Sequence, residues 1–289
     1  MPKNTARVLN PLPIHMSPLL LRLMSILLPQ QVANRAYQQL TQPQVHKLRE
    51  HELSVLDQAQ KTRIPFQSFD IQLYQWGEKG EPILLIHGWE GQAGNFADWI
   101  GPLLDAGFVV HAFDAPSHGF STRGGASLFE FGQLVELLID RFGVQKLLSH
   151  SFGGVATTFA LTDRPDLTIE RYGILTIPNR FLDYVEDTAR KYGMTESVKQ
   201  RLLDRVQRET GYDPATLVVS DFVQKIDSVK AALLIHDRED QVIPFSKAED
   251  VAAAWKPVVL EPVTGTGHFR ILRTPEVIDR MVGWLAAGD

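Results

Sequence analysis

Apolar and polar residues follow two different periods along this chain. Residues 69–76 place an apolar side chain at every second position, which is typical of a strand with one buried face. Continuous apolar runs then follow, and such runs indicate strands buried on both faces of a parallel sheet. They lie at residues 82–86, 108–113, 144–148, 172–177, 232–235 and 258–260.

Helical patterns separate these strands. Residues 128–142 keep Leu134, Leu137 and Leu138 at helical spacing, and further helices are predicted at 152–161, 244–255 and 275–285. Strands that alternate with helices indicate an α/β fold with a mostly parallel central sheet and helices on both faces.

One long segment interrupts this alternation. Residues 179–228 are far longer than one crossover, and Val198, Leu202 and Val206 share one helical face. We favour a helical cap insertion over an elaborate surface crossover. The predicted organisation is a helical N-terminal extension over residues 1–62, a core formed by 63–178 and 229–289, and a cap over 179–228.

The N-terminal extension contains an apolar stretch at residues 18–28, preceded by Lys3 and Arg7. Arg22 interrupts it, and no small-residue cleavage site follows. We favour an amphipathic helix packed on the domain, with an interfacial membrane anchor and a cleaved signal peptide as alternatives. We expect a cytoplasmic protein. No apolar run is long enough for a membrane span, so we expect no stable membrane insertion.

Composition excludes several classes of partner and of catalytic group. The formal net charge of -5 argues against a nucleic-acid partner. The chain has no cysteine, which excludes disulfides, thiolate metal sites and cysteine nucleophiles.

The most informative turn follows the strand at 144–148. Ser149 and Gly153 are small residues on either side of Ser151, and a helix is predicted to begin at Phe152. A tight strand-to-helix turn needs small residues at those two positions and lifts the side chain at its apex away from the sheet. Ser151 is therefore the candidate nucleophile, and the alternative is a serine that only caps the helix.

A second glycine turn, His87-Gly88-Trp89, follows the strand at 82–86. It would bring the Trp89 backbone N–H beside that of Phe152, so that the two form an oxyanion hole. Taken alone, an ordinary glycine turn explains this segment equally well.

Three acids follow the strand at 232–235 and compete to orient a catalytic base. We favour Asp240, which lies four residues before Pro244, over Asp237 and Glu239. Asp237 could instead bind the backbone of its own loop.

His268 follows the last strand after Gly265 and Gly267, in a loop suited to carry an imidazole back over the sheet. A lone histidine here would more often be a surface residue. The chain order Ser151, Asp240, His268, each after its own strand, favours a catalytic base.

From about Phe69 to the C-terminus the sequence resembles the α/β-hydrolase family. The resemblance rests on residues 87–89, 149–154, 240–244 and 267–268, and on residues 114–121, which look like the family's Asp-x-x-Gly-His-Gly-x-Ser loop with Pro116-Ser117 varied. Ser149 stands where the family usually has Gly. The family's loop is largely structural, so His118 is not assigned to catalysis.

The resemblance implies a serine hydrolase that cleaves a small ester-like substrate without a metal or organic cofactor, and a carboxylesterase is the favoured activity. Alternatives are a thioesterase, a membrane-associated lipid hydrolase, or a non-catalytic ligand-binding protein of the same fold. The sequence leaves the substrate and the oligomeric state open.

Overall fold

The computed structural model describes residues 18–287 of the 289-residue chain, so Lys3 and Arg7 lie outside the described residues. Eight strands form one sheet in the order β1-β2-β4-β3-β5-β6-β7-β8. The pairs β1–β2 and β2–β4 are antiparallel and all others are parallel, which confirms the predicted α/β class. The strands are β1 Gln60–Phe66, β2 Phe69–Trp76, β3 Glu81–Ile86, β4 Phe108–Phe113, β5 Lys146–His150, β6 Ile169–Leu175, β7 Val229–Asp237 and β8 Val258–Val263.

Twelve α-helices occur among residues 18–287. They are α1 Pro18–Leu27, α2 Pro29–Thr41, α3 Glu50–Asp57, α4 Ala97–Asp105, α5 Leu128–Phe142, α6 Phe152–Asp163, α7 Phe181–Tyr192, α8 Glu196–Thr210, α9 Val219–Val223, α10 Phe245–Ala254, α11 Gly267–Arg270 and α12 Pro275–Ala286.

The sheet carries a separate hydrophobic cluster on each face. One cluster is covered by α5, α6, α9 and α10, with Leu134 and Leu138 fully buried. The other is covered by α3, α4 and α12, with Trp99, Leu103 and Met281 fully buried. Both faces of the central strands are therefore shielded from water, which is why those strands are continuous apolar runs.

Helix α5 shows why the sequence predicts some boundaries well. Ser127 Oγ accepts the Glu130 N–H, and the Glu130 carboxylate accepts the Ser127 N–H at 2.7 Å, which forms a capping box. Gly143 ends the helix with a left-handed φ of 60°. Both ends carry local signals, and the predicted range 128–142 is confirmed.

Strand β1 and helix α4 were not predicted, because their sequences lack such local signals. Strand β1 begins at Gln60, inside the stretch predicted to be helical, and its first four residues are exposed. It is an edge strand, so it tolerates Pro65 and lacks a clear apolar alternation. Helix α4 was not predicted, because Pro102 lies inside it.

The N-terminal helices pack on the helices between β6 and β7. Val32 and Ala33 of α2 cluster with Val198 of α8. Ala36 of α2 clusters with the buried side chains of Val185, Leu202 and Val206, on α7 and α8. We propose that α1, α2, α7 and α8 together form the cap, and we call them the cap layer. No helix among residues 18–287 has the length and hydrophobicity needed to span a membrane.

Candidate active site

Ser151 occupies the apex of a tight turn between β5 and α6. Its backbone is left-handed, with φ 53° and ψ -120°, and such a conformation costs a non-glycine residue about 1–3 kcal/mol. The Ser151 N–H donates to the carbonyl oxygens of Leu175 and Thr176, at 3.1 and 3.0 Å. The neighbouring strand β6 thus holds the strained turn in place.

Of the two small residues that flank Ser151, Gly153 is required by sterics, whereas Ser149 also makes a hydrogen bond. A Cβ at Gly153 would lie 2.5 Å from the carbonyl oxygens of Ile86 and His87, so only glycine fits there. Ser149 is fully buried, and its Oγ lies 2.8 Å from the hydroxyl of Tyr172 on β6. The serine that replaces the family's usual glycine therefore has a hydrogen-bonding partner in this chain.

His268 and Asp240 come together at the carboxyl edge of the sheet. The distance between His268 Nδ1 and Asp240 Oδ2 is 2.8 Å, and both side chains are buried. The second oxygen, Oδ1, accepts the N–H groups of Val242 and Ile243 at 2.7 and 2.9 Å. An ionised carboxylate can only accept hydrogen bonds, so Nδ1 donates and the Nε2 lone pair of His268 is available as a base.

Hydrogen bonding keeps Asp240 ionised. Burial alone would raise its pKa, but the bonds from His268 and from the Ile243 and Val242 N–H groups lower the pKa to about 2. At neutral pH this carboxylate therefore carries the charge that would stabilise an imidazolium on His268.

The lowered pKa of Asp240 predicts an acid-dependent loss of stability. The folded-state pKa lies below that of the unfolded chain, so the stabilisation is present above about pH 4 and is lost as pH falls towards 2. Between pH 5 and pH 3, the free energy of unfolding should fall by about 1 kcal/mol more in wild type than in Asp240→Asn. Urea unfolding at the two pH values measures this difference, and equal losses would contradict it.

Asp237 binds the loop that carries His268. Its Oδ2 accepts the N–H groups of Thr266 and Gly267 and the Thr266 hydroxyl, and its Oδ1 accepts the Glu239 N–H at 2.7 Å. The Glu239 side chain is exposed. Of the three candidate acids, Asp240 is thus the one bonded to the His268 ring.

Thr176 is a site residue that sequence reasoning missed. It is fully buried, its φ is 52°, and its Oγ1 donates to Asp240 Oδ2 at 3.1 Å. The Nε2 of His236 lies 3.0 Å from both Thr176 Oγ1 and the Ile243 carbonyl oxygen, and burial lowers the His236 pKa. Thr176 therefore links the two parts of the site: its carbonyl oxygen accepts the Ser151 N–H, and its hydroxyl donates to Asp240.

We expect Thr176→Val to lower kcat about tenfold with little change in KM, because it removes a hydrogen bond to a buried charge but keeps the side-chain shape. Thr176→Ser keeps the hydroxyl and should retain most of kcat. Steady-state kinetics on an ester substrate would test this pair. Equal losses in both variants would assign Thr176 a packing role only.

The turn after β3 lies directly against Ser151. A Cβ at Gly88 would lie 3.1 Å from the His150 carbonyl oxygen and 3.2 Å from the Ser151 Cβ, so the glycine permits this close approach. Among the described residues, the backbone N–H groups of Trp89 and Phe152 have no acceptor within the protein. Two unpaired donors beside a serine are suited to bind a developing oxyanion.

Buried histidines hold this turn. His118 Nε2 accepts the N–H of Glu90, whose φ is 59°, at 3.1 Å. His87 Nε2 accepts the Ala115 N–H at 3.0 Å. Burial lowers the pKa of His118 to about 4, so this ring is neutral and can accept. His118 therefore supports the backbone beside Trp89.

His150, the last residue of β5, directly precedes Ser151 and contacts His268. Its Nε2 donates to the His268 carbonyl oxygen at 2.9 Å, and burial lowers its pKa to about 3. The two imidazole rings lie 5.0 Å apart between centroids. No hydrogen bond joins Ser151 Oγ to His268 among residues 18–287, and such catalytic bonds are often long until a substrate binds.

Residues 83–280 match the family described as "Alpha/beta hydrolase family". The chain belongs to that family. Within the described part of this alpha/beta hydrolase, no group of three or more His, Asp or Glu side chains is placed to hold a metal ion.

This alpha/beta hydrolase matches only about half or less of the length of its curated relatives. A dihydrolipoyllysine-residue acetyltransferase component of the acetoin cleaving system of Cupriavidus necator is 25% identical over 215 residues, covering 60% of this chain and 55% of that protein. A serine hydrolase-like protein of Mus musculus is 37% identical over 98 residues, covering 31% of each. Est1E from Butyrivibrio proteoclasticus, solved with ferulic acid, has a TM-score of 0.60 at 19% identity, covering 78% of this chain and 100% of that one.

Proposed function

We propose that this alpha/beta hydrolase cleaves an ester-like bond of a small molecule through an acyl-enzyme, and that it is a carboxylesterase. In the proposal Ser151 is the nucleophile, His268 the base and Asp240 the orienting acid. The observation that carries it is the 2.8 Å bond between buried His268 and Asp240, on loops that flank the strained turn of Ser151.

Acylation uses the tautomer that Asp240 imposes. His268 Nε2 takes the proton of Ser151 Oγ as that oxygen attacks the carbonyl carbon. The N–H groups of Trp89 and Phe152 donate to the oxyanion, and each such donor typically contributes about 3 kcal/mol to lowering the barrier. His268 then gives its proton to the leaving alkoxide.

Deacylation repeats the same proton transfers, with water as the nucleophile. His268 removes a proton from a water molecule that attacks the acyl-enzyme, and the acid product leaves as Ser151 Oγ regains a proton. The Trp89 and Phe152 rings lie 5.4 Å apart, edge to face, beside the serine. Aromatic walls at this place support an apolar group on the substrate.

Labelling with a small fluorophosphonate tests the proposal before any substrate is known. We expect one adduct, located on Ser151 by intact mass and peptide mapping, and at least a hundredfold slower labelling of His268→Ala. A screen of p-nitrophenyl esters of increasing acyl length would then define the acyl preference.

The opposite results separate the alternatives. Absence of labelling in folded protein would overturn the serine-hydrolase assignment and favour a ligand-binding protein of the same fold. Faster turnover of acyl thioesters than of matched esters would replace the carboxylesterase by a thioesterase.

A further inference from the structure

Helix α1 presents an apolar stripe to solvent. Leu19, Leu23, Ile26 and Leu27 occupy one helical face, and their exposed fractions are 79%, 50%, 61% and 66%. Scattered exposed leucines are ordinary, but a continuous stripe of four on one helix marks an interaction surface. We call these four residues the α1 stripe.

The opposite face of α1 packs on α2 and α8, so the stripe points outward. Met24 packs against the cluster formed by Val32 and Val198. Ser25 is buried, and its carbonyl oxygen accepts the Thr195 hydroxyl at 3.3 Å. A helix fixed in this way cannot turn its apolar side inward without breaking these contacts.

Charge indicates which surface the stripe contacts. The first 49 residues contain six Lys or Arg and no Asp or Glu, although the whole chain carries a net charge of -5. Arg22 is exposed next to the stripe, and it lines a cleft together with Glu186 of α7 and Glu196 of α8. A basic segment with an apolar helical face is the pattern that binds an anionic membrane surface.

The segment that follows α2 is bonded next to the proposed active site. The Gln44 N–H donates to Glu90 Oε1 at 3.1 Å, and the Gln92 side chain donates to the His46 carbonyl oxygen at 2.7 Å. This segment is therefore bonded at two points to the residues that directly follow Trp89.

We propose that the α1 stripe docks reversibly on an anionic phospholipid membrane, with α1 lying in the interfacial plane. The helix has 10 residues, which suits a surface position. This docking is independent of the proposed hydrolase chemistry, so a catalytically inactive Ser151→Ala protein should bind equally well.

Co-sedimentation of the full chain with vesicles tests the docking. We expect binding to phosphatidylcholine–phosphatidylglycerol vesicles, at least about tenfold weaker binding to phosphatidylcholine alone, and release in about 1 M salt. The variant Leu23→Gln, Ile26→Gln, Leu27→Gln should weaken binding to the anionic vesicles at least about tenfold. Point substitutions are preferable to truncation, because removing α2 would expose the cluster around Leu202.

The matched control replaces exposed apolar residues far from α1 in the sequence, as Leu137→Gln with Val259→Gln, and should bind like wild type. Equal binding of wild type and the stripe variant, or no binding to anionic vesicles, would overturn the proposal. A wild-type dimer in light scattering that becomes monomeric in the stripe variant would assign the face to a second copy instead.

Discussion

Replacing Ser151 by alanine should lower ester turnover by about 10⁴-fold or more, because no other group can form the acyl-enzyme. Alanine keeps a Cβ at the left-handed position, so the free energy of unfolding should change by less than about 1 kcal/mol. Turnover of p-nitrophenyl acetate, together with urea unfolding, measures both quantities.

One matched control makes the Ser151 result interpretable. Ser246→Ala removes an exposed serine on α10 and should leave turnover unchanged. The turn of Ser151 is held by its own N–H bonds to Leu175 and Thr176, which alanine retains. Wild-type turnover in a folded Ser151→Ala protein would rule Ser151 out as nucleophile.

Replacing Asp240 by asparagine should lower kcat by about 10⁴-fold, because the amide no longer holds the proton on Nδ1 of His268. Asp237→Asn is the matched control, with the same chemical change three residues away. It weakens the bonds to Thr266 and Gly267. We therefore expect a loss of about 1–3 kcal/mol in unfolding free energy and a far smaller loss of kcat.

The contrast between these two aspartates decides which one orients the base. A larger kcat loss in Asp237→Asn than in Asp240→Asn, with both proteins folded, would transfer that role to Asp237. Measurements of kcat well below the unfolding temperature of each variant keep stability and catalysis separate.

Much of the fold was predictable because its strands are buried on both faces. The runs at β3 and β4 coincide with the observed bounds to within a residue. Strand β5 continues to His150, two residues beyond the predicted end, because Ser149 and His150 are polar although buried. Hydrophobic pattern locates a strand but misses the polar residues at its functional end.

The proximity of Asp240 to His268 was predictable from chain order, since each follows a strand whose carboxyl end lies at the same edge. The part played by Thr176 was not, because its φ of 52° and its bond to Asp240 depend on two strands meeting. The bond between Ser149 and Tyr172 likewise exists only once β5 and β6 pair. Such contacts depend on how neighbouring strands align, and a local sequence pattern does not predict that alignment.

The left-handed backbone of Ser151 implies a trade-off between stability and activity. Glycine adopts a φ of 53° without the strain. A glycine there would relieve the strain, yet it would delete the hydroxyl that the proposed chemistry uses. At Thr176, whose φ is 52°, glycine would also remove a buried side chain and its bond to Asp240, so the relief of strain is offset. Selection for thermal resistance alone would therefore favour glycine at Ser151, and the serine marks where function has opposed it.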